Sequence, residues 1–216
     1  MKFYNSLGPN PRLVRMFMLE KGIEVPMTEV DIMAGENRQA PYTEVNPSGQ
    51  MPCLVLDDGL AVAETIVICE YLEEQHPEPA LIGSSPSERA NTRMWTRRVE
   101  DKINQPLASA FRYSEGLAMF KDRMRTLPEA ADGLKALARD GQAWLDGQIA
   151  GRDWLAGDSF SLADITLYCF ADFGGGIGQP LDPALENLGK WFERVAARPS
   201  AEGSLHPAAK AGGMRA

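Results

Sequence analysis

The chain has 216 residues, with 22 Lys and Arg against 30 Asp and Glu, for a net charge of -8 at pH 7. Hydrophobic residues make up 44 % and charged residues 24 %, so the chain has the apolar surface to fold into one large domain or two small ones. No uncharged apolar run reaches the roughly 18 residues of a membrane span, and MKFYNSLGPN lacks the apolar stretch of a secretory signal, so a cytoplasmic protein with no membrane partner is expected. The acidic balance argues against nucleic acid, whose phosphates need a basic face.

Cysteine and histidine narrow the chemistry further. Cys53, Cys69 and Cys169 are far apart and form no CxxC pair, as in reduced thiols of a cytosolic protein. The two histidines, His76 and His206, each precede a proline. A zinc site needs clustered Cys and His ligands, so no metal is expected. A serine hydrolase is equally disfavoured, because there is no GxSxG elbow.

The first eighty residues read as a mixed α/β unit. KFYN begins a strand. PRLVRMFMLEK, from Pro11 to about Lys21, has Leu13, Val14, Phe17 and Met18 at helical spacing, and Gly22 suits its end. VPMTEVDI is a second strand. GENRQAPYTEVNPSGQ is a polar connector with weak helical character. CLVLDDGLAVA is a hairpin turning at Asp58-Gly59. ETIVICEYLEEQHP is a helix, with Ile66, Cys69, Tyr71 and Leu72 broadly on one side and Pro77 as its stop. The order is β-α-β-α-β-β-α.

Pro77, Pro79 and Gly83 mark a linker, and the rest reads as helical. Ser85, Pro86 and Glu88 form a capping box with the favoured proline placement. That helix is expected to run to about Leu117, kinked or broken at Pro106. Leu134 to Gln148 is amphipathic. In DSFSLADITLYCF, Ser161 and Asp164 form a second capping box before the most apolar helix of the chain. A final helix spans about Ala184 to Ala197 and ends at Pro199. The Ala- and Gly-rich residues 207–216 are expected to fray. The GGGIG run, Gly174 to Gly178, lacks the Lys-Ser/Thr of a phosphate loop and reads as a helix terminator.

Four separated segments, read together, resemble the glutathione transferase family. They are GPNPRLVRMFMLEKGI (Gly8 to Ile23), NPSGQMPCL (Asn46 to Leu54), AETIVICEYL (Ala63 to Leu72), and the pair SLADI (Ser161 to Ile165) with WFERVAARPS (Trp191 to Ser200). They cover nearly the whole chain in the family's order. The resemblance implies an α/β plus all-α protein: a thioredoxin-like domain at 1–76, a linker at 77–85, an all-helical domain at 86–206 and a tail at 207–216, usually as a homodimer. It also implies glutathione as co-substrate, a small hydrophobic electrophile as second substrate, and a detoxifying transferase activity. Rival readings keep the same fold for glutathione-dependent disulfide reduction or ether cleavage, or for ligand binding without turnover.

Glutathione carries two carboxylates, one ammonium and one thiol, and only the thiolate attacks an electrophile. Lowering the thiol pKa from its free value of about 8.5 takes donors or a helix N-terminus. Met51-Pro52 matches the family's cis-proline turn, whose exposed backbone would pair with the cysteinyl backbone of the tripeptide. Gly49 fits the turn before it, and Gln50 can reach a carboxylate. Glu64 and Thr65 stand at the start of the third helix. Its free N–H groups and the Thr65 hydroxyl would take the γ-glutamyl carboxylate, and Glu64 the ammonium. Asn37 and Gln39 lie where the family often places a residue for the glycyl carboxylate. By position Asn10 caps the first helix, leaving its NH2 donors for the sulfur. Gly8 occupies the place where some bacterial members carry a hydroxyl, and Ser6 is the nearest hydroxyl upstream. Arg12, Arg15 and Arg38 are further polar groups near the presumed site. Trp95, Phe111, Tyr113, Phe120 and Phe173 could line an apolar electrophile pocket. Glu70, Glu73 and Glu74 could face Arg89, Arg93 and Arg97 across a dimer interface.

Overall fold

The computed structural model describes residues 1–209 and 214–216. Four short strands, β1 (Lys2–Asn5), β2 (Met27–Glu29), β3 (Cys53–Val55) and β4 (Ala61–Ala63), form one sheet in the order β2-β1-β3-β4. β1 pairs parallel with β2, while β3 runs antiparallel to both β1 and β4. A parallel pair needs a crossover, and α1 (Pro9–Lys21) supplies it. The connector holds a 3-10 turn at Glu36–Arg38 and the short helix α2 (Tyr42–Val45). After the hairpin comes α3 (Thr65–Gln75), which packs against α1. The element order is the expected one. Phe3, Leu13, Val14, Phe17, Leu54, Ile68 and Leu72 are fully or almost fully buried and form the core of this unit.

Local chemistry sets the ends of these elements. α1 begins at Pro9, two residues before the expected Pro11, because proline at the first helical position lacks only an N–H that would be unpaired there. Gly8 is therefore the N-cap, and Asn10, expected as the cap, lies inside the first turn. β2 is shorter than VPMTEVDI because the Asp31 carboxylate accepts from Met33 N–H and Ala34 N–H and turns the chain. In α3 the buried positions are Ile68, Cys69, Leu72 and Glu73, whereas Ile66 and Tyr71 are half-buried.

The second unit, Ile82–Arg198, is helical. α4 (Pro86–Val99) opens on the expected capping box, with Ser85 Oγ accepting from Glu88 N–H at 3.2 Å and Glu88 Oε2 from Ser85 N–H at 3.2 Å. Pro106 cannot continue an α-helical ladder. The chain absorbs this through a π-helical turn at Glu100–Asn104 before α5 (Gln105–Tyr113). The single helix expected to Leu117 is thus broken into separate pieces. α6 (Leu117–Phe120), α7 (Ala131–Gln148), α8 (Leu162–Gly176) and α9 (Glu186–Ala196) complete the unit.

Asp164 joins two of the sequence segments singled out above. It accepts from Ser161 N–H and Oγ, from Leu155 N–H and from Trp191 Nε1, all within 2.9–3.0 Å. SLADI and WFERVAARPS therefore meet at one buried carboxylate. Burial pushes this carboxyl up, against donors that favour its charged form. Arg198 lies 3.9 Å over the Phe160 ring at the same end of the unit.

Residues Pro199–Ala216 belong to the first unit, not to the helical one. Pro199 begins α10 (Pro199–Gly203), and α10 packs on α1. The tail expected to fray at 207–216 includes residues 210–213, which lie outside the described residues. On either side of them Ala209 and Ala216 are buried, and His206 N–H donates to the Ala216 carbonyl at 2.9 Å.

The first unit also contains a buried ion pair. Lys21 Nζ lies 2.6 Å from Glu73 Oε2, with side-chain exposures of 0 % and 5 %. Lys21 also donates to the Pro79 carbonyl at 2.6 Å, and Leu81 N–H donates to Glu73 at 3.3 Å. Glu73 is thus unavailable to a dimer surface. Lys21→Met is expected to cost about 3–5 kcal/mol by leaving a buried carboxylate unpaired. Lys21→Met/Glu73→Leu should recover most of that loss in urea unfolding. Equal losses in the single and double variants would show that the pair matters only through packing.

Candidate functional site

The sheet register brings the separated sequence motifs to one end of the first unit. Tyr4 stands opposite Cys53, and Cys53 opposite Ala63. Carried one step past these paired residues, the same register sets Asn5, the last residue of β1, beside Pro52 and Pro52 beside Glu64. The C-terminal ends of β1 and β4 and the N-terminal end of β3 therefore share one edge, where α1 and α3 both begin.

The turn between β1 and α1 forms the first part of this edge. Gly8 adopts φ 140°, a conformation open to glycine, and its carbonyl accepts the first helical bond from Arg12 N–H at 3.1 Å. A side chain at this position would find room, since its Cβ would meet only Pro11 Cδ at 3.6 Å. The backbone angle, not space, excludes a hydroxyl residue. Asn10 is half-buried, and its side chain has no hydrogen-bond partner among the described residues. Ser6 is 1 % exposed, and its hydroxyl faces the Leu7 carbonyl at 3.3 Å. The upstream hydroxyl is turned inward.

The second part is the turn entering β3. The Met51-Pro52 peptide is cis. Neither Met51 N–H nor its carbonyl has a partner among the described residues. The residue before it is held tightly: the Gln50 carbonyl accepts from Tyr42 OH at 2.5 Å and from Asn46 Nδ2 at 2.9 Å. Burial pushes the Tyr42 phenol up to about 12, so it remains a neutral donor. Gly49 has φ 62°, and a Cβ there would come within 2.9 Å of the Asn37 carbonyl oxygen, so both angle and space require glycine. Asn37 donates to the Gly49 carbonyl at 2.6 Å and is buried, and Arg38 donates to the Ser48 carbonyl at 3.2 Å. These two brace the turn, while Gln39 and Gln50 leave their side chains exposed. Sequence reasoning passed over Tyr42, although its place in the connector near NPSGQMP was visible.

The third part is the head of α3. Glu64 is the N-cap at φ 69° and ψ 117°, the only non-glycine residue at positive φ among the described residues. Holding a glutamate there costs on the order of 1–3 kcal/mol, and its side chain makes no capping bond. The first intrahelical bond is Ile68 N–H to the Glu64 carbonyl at 3.0 Å. The N–H groups of Thr65, Ile66 and Val67 point out of the helix end, where its dipole favours an anion. An exposed carboxylate beside unpaired N–H donors suits a ligand carrying both charges.

Comparison with known proteins gives the family. The family description "Glutathione S-transferase, N-terminal domain" matches residues 8–75, and "Glutathione S-transferase, C-terminal domain" matches residues 118–199. The chain belongs to the glutathione S-transferase family. It is 30 % identical over 200 residues to Glutathione S-transferase 2 of Saccharomyces cerevisiae, covering 89 % of this chain and 84 % of that protein. It is 31 % identical over 156 residues to a maleylacetoacetate isomerase of Pseudomonas aeruginosa, covering 71 % of each. A crystal structure of a glutathione S-transferase domain-containing protein from Marinobacter aquaeolei VT8 superposes with a TM-score of 0.87 at 35 % identity, covering 93 % of this chain and 99 % of that one.

Other candidate residues have structural work instead. Arg12 is fully buried and donates to Ser204 Oγ and to the carbonyls of Ala201 and Arg215. Arg15 donates to the Ser204 carbonyl at 2.8 Å. Neither guanidinium is offered to a ligand. Cys53 is buried and burial pushes its thiol up, which removes it as a nucleophile. In the helical unit, Trp95 stacks near Trp144 in the core. Phe111 contacts both Phe120 and Phe173 edge to face, with centroids 6.0 and 5.1 Å away. Those three rings form one cluster, which does not include Trp95. Among the described residues there is no group of three or more metal-ligating side chains, and no helix is long and apolar enough to cross a membrane.

Proposed function

We propose that the first unit binds reduced glutathione as its thiolate, and that the enzyme transfers it to a small hydrophobic electrophile. The observation that carries this reading is the shared sheet edge. There the unpaired Met51 backbone, the Glu64 carboxylate and the heads of two helices lie together.

Met51 N–H and C=O would pair with the cysteinyl backbone as an added strand. Thr65 and the α3 N–H groups would take the γ-glutamyl carboxylate, and Glu64 its ammonium. Gln50 and Gln39 reach toward the glycyl end. This places the sulfur over the N-terminus of α1, where the dipole favours a thiolate and the Asn10 amide supplies a donor. Ser6 contributes its backbone to the turn, its hydroxyl being turned inward. Rate comes from a lowered thiol pKa and from orientation, with no covalent bond to the protein. The three cysteines form no disulfide and are buried, which fits a reducing cytosol.

The strained Glu64 backbone is kept for binding on this reading. Glu64→Gln removes the charge but keeps the shape. Calorimetry should show glutathione binding about 10- to 150-fold weaker, the loss of a hydrogen bond to a charged group, with turnover of chlorodinitrobenzene falling alongside. Unchanged affinity would refute the site. Asn10 caps nothing, so Asn10→Ala should leave stability within about 0.5 kcal/mol and raise the pKa of the bound thiol, read from thiolate absorbance. An identical titration in the variant would remove Asn10 from thiol activation.

A homodimer accompanies this reading. Leu60 and Val67 in the first unit and Met94 in the second are 58 %, 49 % and 41 % exposed, which leaves apolar side chains for a second copy to cover. Sedimentation at micromolar concentration should give twice the chain mass of 23.7 kDa. A species of single-chain mass would end the dimer assignment.

A further inference from the structure

We propose that Arg15 is a positioning residue for the thiol-binding turn, held in register by the C-terminal segment through Ser204 and His206. The proposal rests on the reading of that turn as the seat of the glutathione sulfur.

The Arg15 guanidinium lies between the turn and the returning chain. Its NH1 donates to the Ser6 carbonyl at 3.1 Å and to Asn5 Oδ1 at 2.6 Å, while its Nε donates to the Ser204 carbonyl at 2.8 Å. A planar fork with fixed donor directions can serve these acceptors at once, and a lysine ammonium cannot reproduce its geometry. The chain of contacts continues on the other side of Asn5. Asn5 Nδ2 donates to Glu29 Oε1 at 2.5 Å, and Glu29 Oε2 lies 2.9 Å from His206 Nε2. His206 Nδ1 accepts from Ala208 N–H at 3.1 Å, so Nε2 carries the proton and donates to Glu29. Desolvation pushes the Glu29 carboxyl up, but the bonds from His206 and Asn5 outweigh it and hold the carboxyl below its ordinary range.

The Asn5 side chain is therefore gripped at both ends. Arg15 holds its oxygen, and Glu29, latched to His206, holds its nitrogen. Ser6 is gripped by its carbonyl. Arg12, three residues before Arg15 on α1, adds bonds to Ser204 Oγ and to the Ala201 and Arg215 carbonyls. The last strand residue before the turn, and the first residue of the turn, thus take their positions from residues nearly two hundred positions away in sequence. Gly8 and Asn10, between these clamped residues and the body of α1, follow that placement. The turn has no tight side-chain cap of its own, since Gly8 offers none. An external brace is what fixes where the Asn10 donors lie.

The test uses the full chain with Arg15→Lys and His206→Ala. First, the wild-type protein with glutathione is titrated for thiolate absorbance. A bound thiol pKa no lower than the free value of about 8.5 would defeat the glutathione reading. The brace would then still be judged by amide exchange at Ser6, Leu7, Gly8 and Asn10 without ligand. Given a lowered wild-type pKa, Arg15→Lys should return it toward the free value and reduce kcat roughly 10- to 100-fold, as expected for a misplaced catalytic group. KM for glutathione should change less than threefold, because the Met51 and Glu64 contacts remain. His206→Ala should move the thiol pKa in the same direction by less, and should speed exchange at the four turn amides without speeding exchange in α3. A folded Arg15→Lys protein with unchanged thiol pKa and kcat overturns the proposal. If Arg15→Lys does not fold, His206→Ala decides: unchanged exchange at the turn amides overturns the proposal, and faster exchange confined to them supports it.

Discussion

The antiparallel placement of β3 between β1 and β4 is the constraint on which the rest of this molecule depends. A strand pair fixes which residues lie side by side, and a shift of one residue would turn every side chain to the other face. With Cys53 facing Tyr4 on one side and Ala63 on the other, the ends of three strands fall level. Two helix N-termini and an unpaired stretch of backbone then share one edge. Each element alone is ordinary. On the proposed reading, their alignment is what gives a zwitterionic peptide somewhere to place its charges, its backbone and its sulfur.

That edge is held from behind by polar groups bonded within the protein. Tyr42 and Asn46 fix the Gln50 carbonyl, and Asn37 fixes Gly49. Arg15, Asn5, Glu29 and His206 fix the turn before α1. Buried polar groups of this kind stabilise only when satisfied, and when satisfied they specify one arrangement. The Lys21–Glu73 pair does the same for the chain leaving α3, since it also binds the Pro79 carbonyl and Leu81 N–H. In the helical unit Asp164 has the equivalent role, gathering the start of α8 and the Trp191 indole of α9. The cost of burying these charges is offset by making each one bind several partners.

The fold was largely legible from the residues. Alternation, helical spacing and capping boxes carried the order of elements, and the structure keeps both capping boxes and the β-α-β-α-β-β-α order. Boundaries were less legible. Pro9 and Pro11 are both acceptable near a helix start, and only the φ of Gly8 shows which one opens it. A π-helical turn before Pro106 leaves no mark in a hydrophobic pattern, because it changes the backbone ladder without changing which face is apolar. The positive φ of Glu64 was equally hidden, since nothing in a glutamate announces it.

By itself, the sequence determined which chemical groups this protein has and in what order they come: the glycine and prolines of the first turn, the Met51-Pro52 step, and a carboxylate at the head of the third helix. Short-range chemistry sets those features, so neighbouring residues suffice to read them. Only the tertiary structure decided which polar groups are free for a ligand and which are consumed within the protein. Arg12, Arg15 and Glu73 looked available and are buried in internal bonds. The returning segment after Pro199 claims the two arginines. Such claims are made across nearly two hundred residues, and a hydrogen bond of that separation has no periodicity for a sequence to display.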